Sequence, residues 1–221
     1  MNTILSTIKY LIDFIMHIDK HLADLFLNYG MRIYGILFLI IFIETGLVVM
    51  PFLPGDSLLF AAGALAGNPE NGVSVHLVWL IVFIAAVIGD SVNYEIGKFL
   101  GPKVFTGKYK RVKKEHLEKT HHFYEKHGGK TIIYARFIPI VRTFAPFVAG
   151  IGKMSYKHFL SFNVIGAALW ATLFIYAGYF FGSLEFVQKR FSLIVMAIIL
   201  LSLLPILIEW IKHKRAKKKQ S

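Results

Sequence analysis

Apolar stretches long enough to cross a bilayer recur along this chain and alternate with densely basic ones. They occupy residues 33–66, 77–100, 131–152, 159–182 and 191–211. One helical crossing takes about 20 residues. In hydrocarbon every backbone N–H and C=O must find its partner inside the protein, which a helix achieves within one segment. The composition is of the same kind. Hydrophobic residues make up 56% of the chain and charged residues 17%, whereas ordinary soluble domains are about 45–50% apolar. A soluble, disordered or fibrous protein is excluded. The absence of cysteine removes disulfides, CxxC redox motifs and thiolate metal sites.

Segments 77–100, 159–182 and 191–211 each fit one crossing. Segment 33–66 exceeds one crossing, falls short of two with a turn, and carries Pro51, Pro54 and Gly55 in its middle. It reads as a spanning helix at 33–50 followed by an element at 51–66 that dips in and returns. Segment 131–152 has a spanning length yet holds Arg136, Pro139, Arg142 and Pro146. The flanking charge decides its topology. The net charge is +12, from 25 Lys+Arg against 13 Asp+Glu. Ten Lys/Arg lie in residues 98–130 against three Glu, and six more lie in 212–219. Positive residues stay on the cytoplasmic side. Both basic segments are therefore expected there, with an even number of crossings between them. Segments 159–182 and 191–211 supply two, so 131–152 is expected to enter and leave from the cytoplasm. The same parity places 67–76, which has no Lys or Arg, outside. The element at 51–66 then dips in from that outer side. Lys189 and Arg190 fall in an external loop against the rule, and snorkelling to headgroups accommodates them.

Residues 1–30 lack the pattern of a signal peptide. Ile4, Ile8, Leu11, Ile15, Ile18 and Leu22 recur at helical spacing, with Lys9, Asp13, Asp19, Lys20 and Asp24 between them. This is an amphipathic helix too charged to span, expected in the cytoplasmic interface. The expected fold is thus an all-α integral membrane protein with both termini cytoplasmic. An interfacial helix at 1–30 precedes one transmembrane domain at 31–212. That domain has four spanning helices, two opposed re-entrant hairpins and a cytoplasmic basic segment at 101–130. A basic tail follows at 213–221. The hairpins rhyme: Pro54-Gly-Asp-Ser-Leu-Leu-Phe-Ala-Ala-Gly63 against Pro139-Ile-Val-Arg-Thr-Phe-Ala-Pro-Phe-Val-Ala-Gly150. Each runs from a proline through a charge and an aromatic to Ala-Gly. Opposed broken elements in an inverted repeat mark a midplane substrate site in transporters.

Glu44, Asp56, Asp90, Glu95, Arg136, Arg142 and Glu209 lie inside the apolar segments. A charge at the bilayer centre costs about 2.5–3.5 kcal/mol on insertion scales. Such residues must pair, neutralise or face water. The minimal arrangement sets Glu44 and Asp56 against Arg136 and Arg142. A guanidinium grips phosphate or carboxylate with two parallel hydrogen bonds and stays charged. The two arginines in a cytoplasm-facing cavity therefore suit an anionic headgroup such as a lipid phosphate. Carboxylates can take up a proton when desolvated, which makes Glu44 and Asp56 candidates for proton coupling or gating. A pair of structural salt bridges locking the hairpins is the plainer alternative. Asp90, Asn93 and Tyr94 form a polar cluster that either lines the cavity or bonds helix to helix.

Chemistry of other kinds has no support. His116, His121, His122 and His127 lie on the basic segment without HExxH spacing or a carboxylate triad, so no metal is expected. GxSxG, Walker A and GxGxxG are absent. No nucleophile–base constellation is visible, and neither an enzyme nor a cofactor is expected. Gly97-Lys-Phe-Leu-Gly101 and Gly178-Tyr-Phe-Phe-Gly182 are patterns for close helix approach, expected inside the protein. The basic segment 103–119 suits anionic headgroups rather than nucleic acid.

Glu44, Pro51-Phe-Leu-Pro-Gly-Asp-Ser57, Gly89-Asp-Ser-Val-Asn-Tyr94, Gly128-Gly-Lys130 and Ala135-Arg-Phe-Ile-Pro-Ile-Val-Arg-Thr-Phe-Ala-Pro-Phe-Val-Ala-Gly150 together resemble the DedA family. This is the bacterial branch of the SNARE-associated or VTT-domain proteins. The resemblance runs from residue 10 to the basic tail and is as close as that of an ortholog of an enterobacterial member. It implies a bacterial inner-membrane protein with opposed re-entrant hairpins. It also implies that an embedded acidic pair and arginine pair, matching Glu44, Asp56, Arg136 and Arg142, are required for activity. Some relatives return undecaprenyl phosphate across the membrane, some are linked to proton-motive force and envelope integrity, and eukaryotic relatives scramble phospholipids. Three readings follow. The first is a transporter of undecaprenyl phosphate or another anionic lipid, coupled to protons and supporting envelope maintenance. The second is a proton-coupled antiporter of ions or small solutes. The third is a structural membrane protein assisting envelope assembly.

Overall fold

The computed structural model describes residues 31–47, 55–105, 128–152 and 154–182, with Leu184 and Val187. Among them no strand occurs. The helices are α1 (Arg32–Gly46), α2 (Gly55–Ala66), α3 (Val75–Phe105), α4 (Lys130–Ala135), α5 (Pro139–Ile151) and α6 (Tyr156–Phe181), with a 3-10 turn at Pro69–Asn71. The expected interfacial helix at 1–30, the crossing at 191–211 and the tail at 213–221 lie outside the described residues. So do Pro51, Pro54 and residues 106–127 of the basic segment.

Two described helices are long and apolar enough to cross a membrane, Val75–Leu100 within α3 and Tyr156–Phe181. Leu80, Ile84 and Ile88 on α3 and Ile165, Leu169 and Leu173 on α6 are exposed. Apolar surface of that extent calls for a partner or a hydrocarbon medium. The helix bounds differ from those expected. The first stops at Gly46, short of residue 50. Thr45 Oγ1 donates back to the Ile41 carbonyl at 2.8 Å, a bond that weakens helix continuation, and a glycine follows. The second starts earlier, at Val75, because Ser74 caps it, its Oγ accepting from Leu77 N at 3.4 Å. It also continues past residue 100 to Phe105.

Segment 131–152 holds two helices separated by a break at Arg136–Phe137–Ile138. Ile138 is extended (φ −117°, ψ 107°), and Pro139 opens α5. A proline excludes the helical region for the residue before it while suiting the first helical position itself. Pro146, by contrast, sits inside α5, where it removes one helix hydrogen bond without ending the helix.

The described residues form two compact units. One takes 31–36, 55–80 and 171–182, the other 37–47, 81–105, 128–152 and 154–170. In the first, Trp79 Nε1 donates to Thr172 Oγ1 at 2.9 Å, and His76 and Tyr176 share a hydrogen bond at 2.9 Å. There α2 crosses α6 through glycine: Gly63 lies on the backbone of Ile175 and Gly178 on that of Phe60. The second unit has its core at Tyr94, Ile132, Ala135, Ala145, Ala149 and Phe159. The Tyr94 ring stacks on Phe159 at 4.6 Å between centroids. There α3 crosses α5, with Gly97 on the backbone of Phe147 and Gly150 on that of Tyr94. A Cβ on any of these four glycines would overlap the facing backbone. Gly63 and Gly150 close the two rhyming segments. In both crossings each glycine meets the residue three positions before its partner glycine.

Candidate functional site

The second unit gathers four buried charges. Glu44 sits near the end of α1, Asp90 in the middle of α3, Arg136 in the break before α5 and Arg142 within α5. Arg142 Nη2 donates to Glu44 Oε1, and Arg136 Nη2 donates to Asp90 Oδ2. All four side chains are less than a tenth exposed. Small residues make the approach possible. A Cβ at Gly89 would strike the Thr45 side chain, and one at Gly46 would touch the Gly89 backbone. With hydrogen there instead, α1 and α3 close at that point, two residues from Glu44 and one from Asp90.

Two asparagines brace the pairs. Asn163 on α6 accepts from Arg136 Nη2 at 2.7 Å and donates to the Val87 carbonyl at 3.1 Å. Asn93 donates to the Thr45 carbonyl at 3.1 Å and the Thr143 carbonyl at 2.8 Å, so one side chain ties α1 to α5. Its Oδ1 is buried with no hydrogen-bond partner among the described residues. The Trp170 ring lies beside both guanidiniums, its centroid 5.7 Å from Cζ of Arg136 and 5.4 Å from Cζ of Arg142. Thr45, Asp90, Ile132, Arg136, Arg142, Pro146 and Trp170 enclose a cavity of about 10 Å³, room for roughly one water.

Each expected site residue thus has a place or lies outside the description. Arg136, Arg142, Glu44 and Asp90 come together. Asn93 stands beside them, bonding across helices. The Tyr94 hydroxyl donates to the Met154 carbonyl while its ring belongs to the core. Asp56 is buried in the first turn of α2, a helix that Gly55 opens in the first unit. The carboxylate that meets Arg136 is Asp90, a residue that the sequence placed in the polar cluster with Asn93 and Tyr94. Pro139 and Pro146 hold the positions on α5 described above. Sequence reasoning missed Asn163 and Trp170. Asn163 carried a weak signal as an amide inside an apolar stretch. Trp170 carried none, since an aromatic in a membrane helix is ordinary. Among the described residues no group of three His, Asp or Glu is placed to hold a metal ion.

The four charges sum to zero. Removing one partner of such a pair leaves a buried unpaired charge at a cost of about 3–5 kcal/mol, so each holds the other in place. A proton on either carboxylate, or an anion brought to either guanidinium, would break this balance.

The VTT domain matches residues 53–180. Protein DedA of Escherichia coli (strain K12) is 59% identical over 96% of this chain and 97% of that protein. An uncharacterized membrane protein of Mycobacterium tuberculosis is 44% identical over 83% of this chain and 81% of its own. Inner membrane protein YqjA of Escherichia coli (strain K12) is 33% identical over 68% of each. None of these names is that of an enzyme. No solved structure matches the chain.

Proposed function

The chain belongs to the DedA branch of the VTT-domain family, and from that premise we propose that it is an inner-membrane transporter of an anionic lipid, undecaprenyl phosphate or a phospholipid. The observation that carries this reading is the two buried ion pairs, Glu44 with Arg142 and Asp90 with Arg136. They sit in a protein of a membrane family, on helices with exposed apolar flanks. Their guanidiniums, always charged and able to grip an oxyanion bidentately, are the phosphate ligands. In the state described they are held by carboxylates, and the cavity between them is too small for a phosphate.

Exchange supplies the mechanism. A carboxylate that takes a proton no longer competes for a guanidinium. One proton for each negative charge on the headgroup keeps the site neutral, so lipid phosphate and protons enter together. Glu44 is the proton site opposite Arg142, Asp90 that opposite Arg136, and Asp56 a further carboxylate for proton coupling or gating. The topology completing this reading has four spanning helices, re-entrant hairpins at 51–66 and 131–152 from opposite faces, and cytoplasmic termini.

The same charge balance favours a second reading, in which the ion pairs only lock the helices of a protein that assists envelope assembly. Translocation of undecaprenyl phosphate in proteoliposomes separates the two. Wild type is expected to move the lipid, and Arg142→Ala at matched folded incorporation to lose that movement. A Glu44→Arg/Arg142→Glu swap that folds and supports growth in place of the wild type would favour the lock.

A further inference from the structure

Trp170 is 1% exposed and is common to both ion pairs. Its ring centroid lies 5.4 Å from the Arg142 guanidinium carbon and 5.7 Å from that of Arg136. The two arginines come from different local structures, one from a helix break and one from α5, and their carboxylates come from different helices. What the pairs share is the indole and the small cavity it helps to close.

An aromatic face attracts a guanidinium through its quadrupole, indole most strongly, and more so where water is excluded. It does so without accepting the in-plane N–H bonds. A carboxylate at that place would occupy the guanidinium forks, and an aliphatic side chain would leave two like charges free to part once their counter-ions were neutralised. We propose that Trp170 is the positioning residue of the phosphate site. It holds Arg136 and Arg142 side by side when Glu44 and Asp90 give way, so that one headgroup engages both. The proposal rests on the transport reading above. It adds a selectivity: a phosphate monoester offers the two guanidiniums a third terminal oxygen and up to one more negative charge than a phosphodiester, so the site prefers the monoester.

Two measurements test it. The first is independent of transport. The chain has three tryptophans, and Trp79→Phe/Trp210→Phe leaves Trp170 as the sole indole reporter. In that protein Arg136→Gln and Arg142→Gln are each expected to shift the Trp170 emission. A response to only one of them overturns the shared role. The second is binding of dodecyl phosphate and of its methyl diester to the full chain in detergent. Trp170→Leu is expected to weaken dodecyl phosphate binding by about tenfold or more and to erase the monoester preference. Trp170→Phe, which keeps a weaker aromatic face, is expected to stay within about threefold of wild type. Unchanged affinity and preference in Trp170→Leu would overturn the proposal, even if wild-type vesicles move lipid. Emission shifts with both arginines, in a protein that moves no lipid, would instead locate the failure in the transport reading.

Discussion

Arg136 reaches Asp90 on α3 in an ion pair buried on both sides, and its same terminal nitrogen takes Asn163 on α6 at 2.7 Å. The break before α5 is therefore pinned to two helices by one guanidinium. Either partner removed alone leaves the other buried and uncompensated. Asp90→Ala and Arg136→Ala should each lower stability in detergent by about 3–5 kcal/mol. The double variant should cost clearly less than their sum. Thermal unfolding of the four proteins in one detergent gives the cycle, and additive losses would mean that the pair is not formed in solution.

Asn93 makes a different prediction. Its amide satisfies the carbonyls of Thr45 and Thr143, one on each of two helices. Asn93→Leu fills the space but supplies no donor, at a cost of about 1–3 kcal/mol for each carbonyl left unbonded. Asn93→Asp also loses the donors and adds a charge beside two acceptors. Unfolding midpoints should fall in the order wild type, Leu, Asp. An Asp variant as stable as wild type would count against the bridge.

The glycine crossings predict a contrast within one residue type. Gly97 and Gly150 in one unit, and Gly63 and Gly178 in the other, face backbone at closer range than a side chain permits. Backbone cannot move aside as a flexible side chain can, and overpacking of this kind costs about 1–3 kcal/mol or more. Gly35, on α1, has nothing near its missing Cβ, and alanine there removes a helix-weakening residue. Each of Gly63→Ala, Gly97→Ala, Gly150→Ala and Gly178→Ala should reduce the yield of monodisperse protein, while Gly35→Ala should match wild type or exceed it. Equal yields for all five would remove close packing as the reason for these glycines.

The parts of this fold that were legible in the sequence are those set by the chain's own chemistry. Pro139 forbids helix at Ile138, so the break was visible as a proline between two arginines. The apolar runs at 77–100 and 159–182 announced α3 and α6 because hydrocarbon demands length. Local caps moved the ends, since Ser74 and Thr45 act over one turn and leave no mark on hydropathy. The site was legible as a set of charges and illegible as a set of pairs. Which carboxylate pairs with which guanidinium depends on how α1, α3 and the break before α5 pack, and the close approach at Gly46 and Gly89 that sets Glu44 and Asp90 near each other leaves no mark on hydropathy. Trp170 escaped notice because its meaning lies wholly in what stands beside it.

On the transport reading, the zero charge sum of Glu44, Asp90, Arg136 and Arg142 predicts how lipid movement is driven. If one proton enters for each negative charge on the headgroup, the loaded site is as neutral as the empty one. No net charge then crosses with the lipid. In proteoliposomes a pH gradient should accelerate undecaprenyl phosphate movement from the acidic side, whereas a potassium diffusion potential at equal pH should leave the rate unchanged. Glu44→Gln mimics the protonated carboxylate and keeps a hydrogen-bonding partner for Arg142. It should therefore retain exchange of lipid at equal pH while responding several-fold less to the gradient. Arg142→Ala should lose exchange altogether. Rates that follow the potential and ignore the gradient would show that charge crosses with the lipid, and the proton-for-phosphate exchange would have to be abandoned.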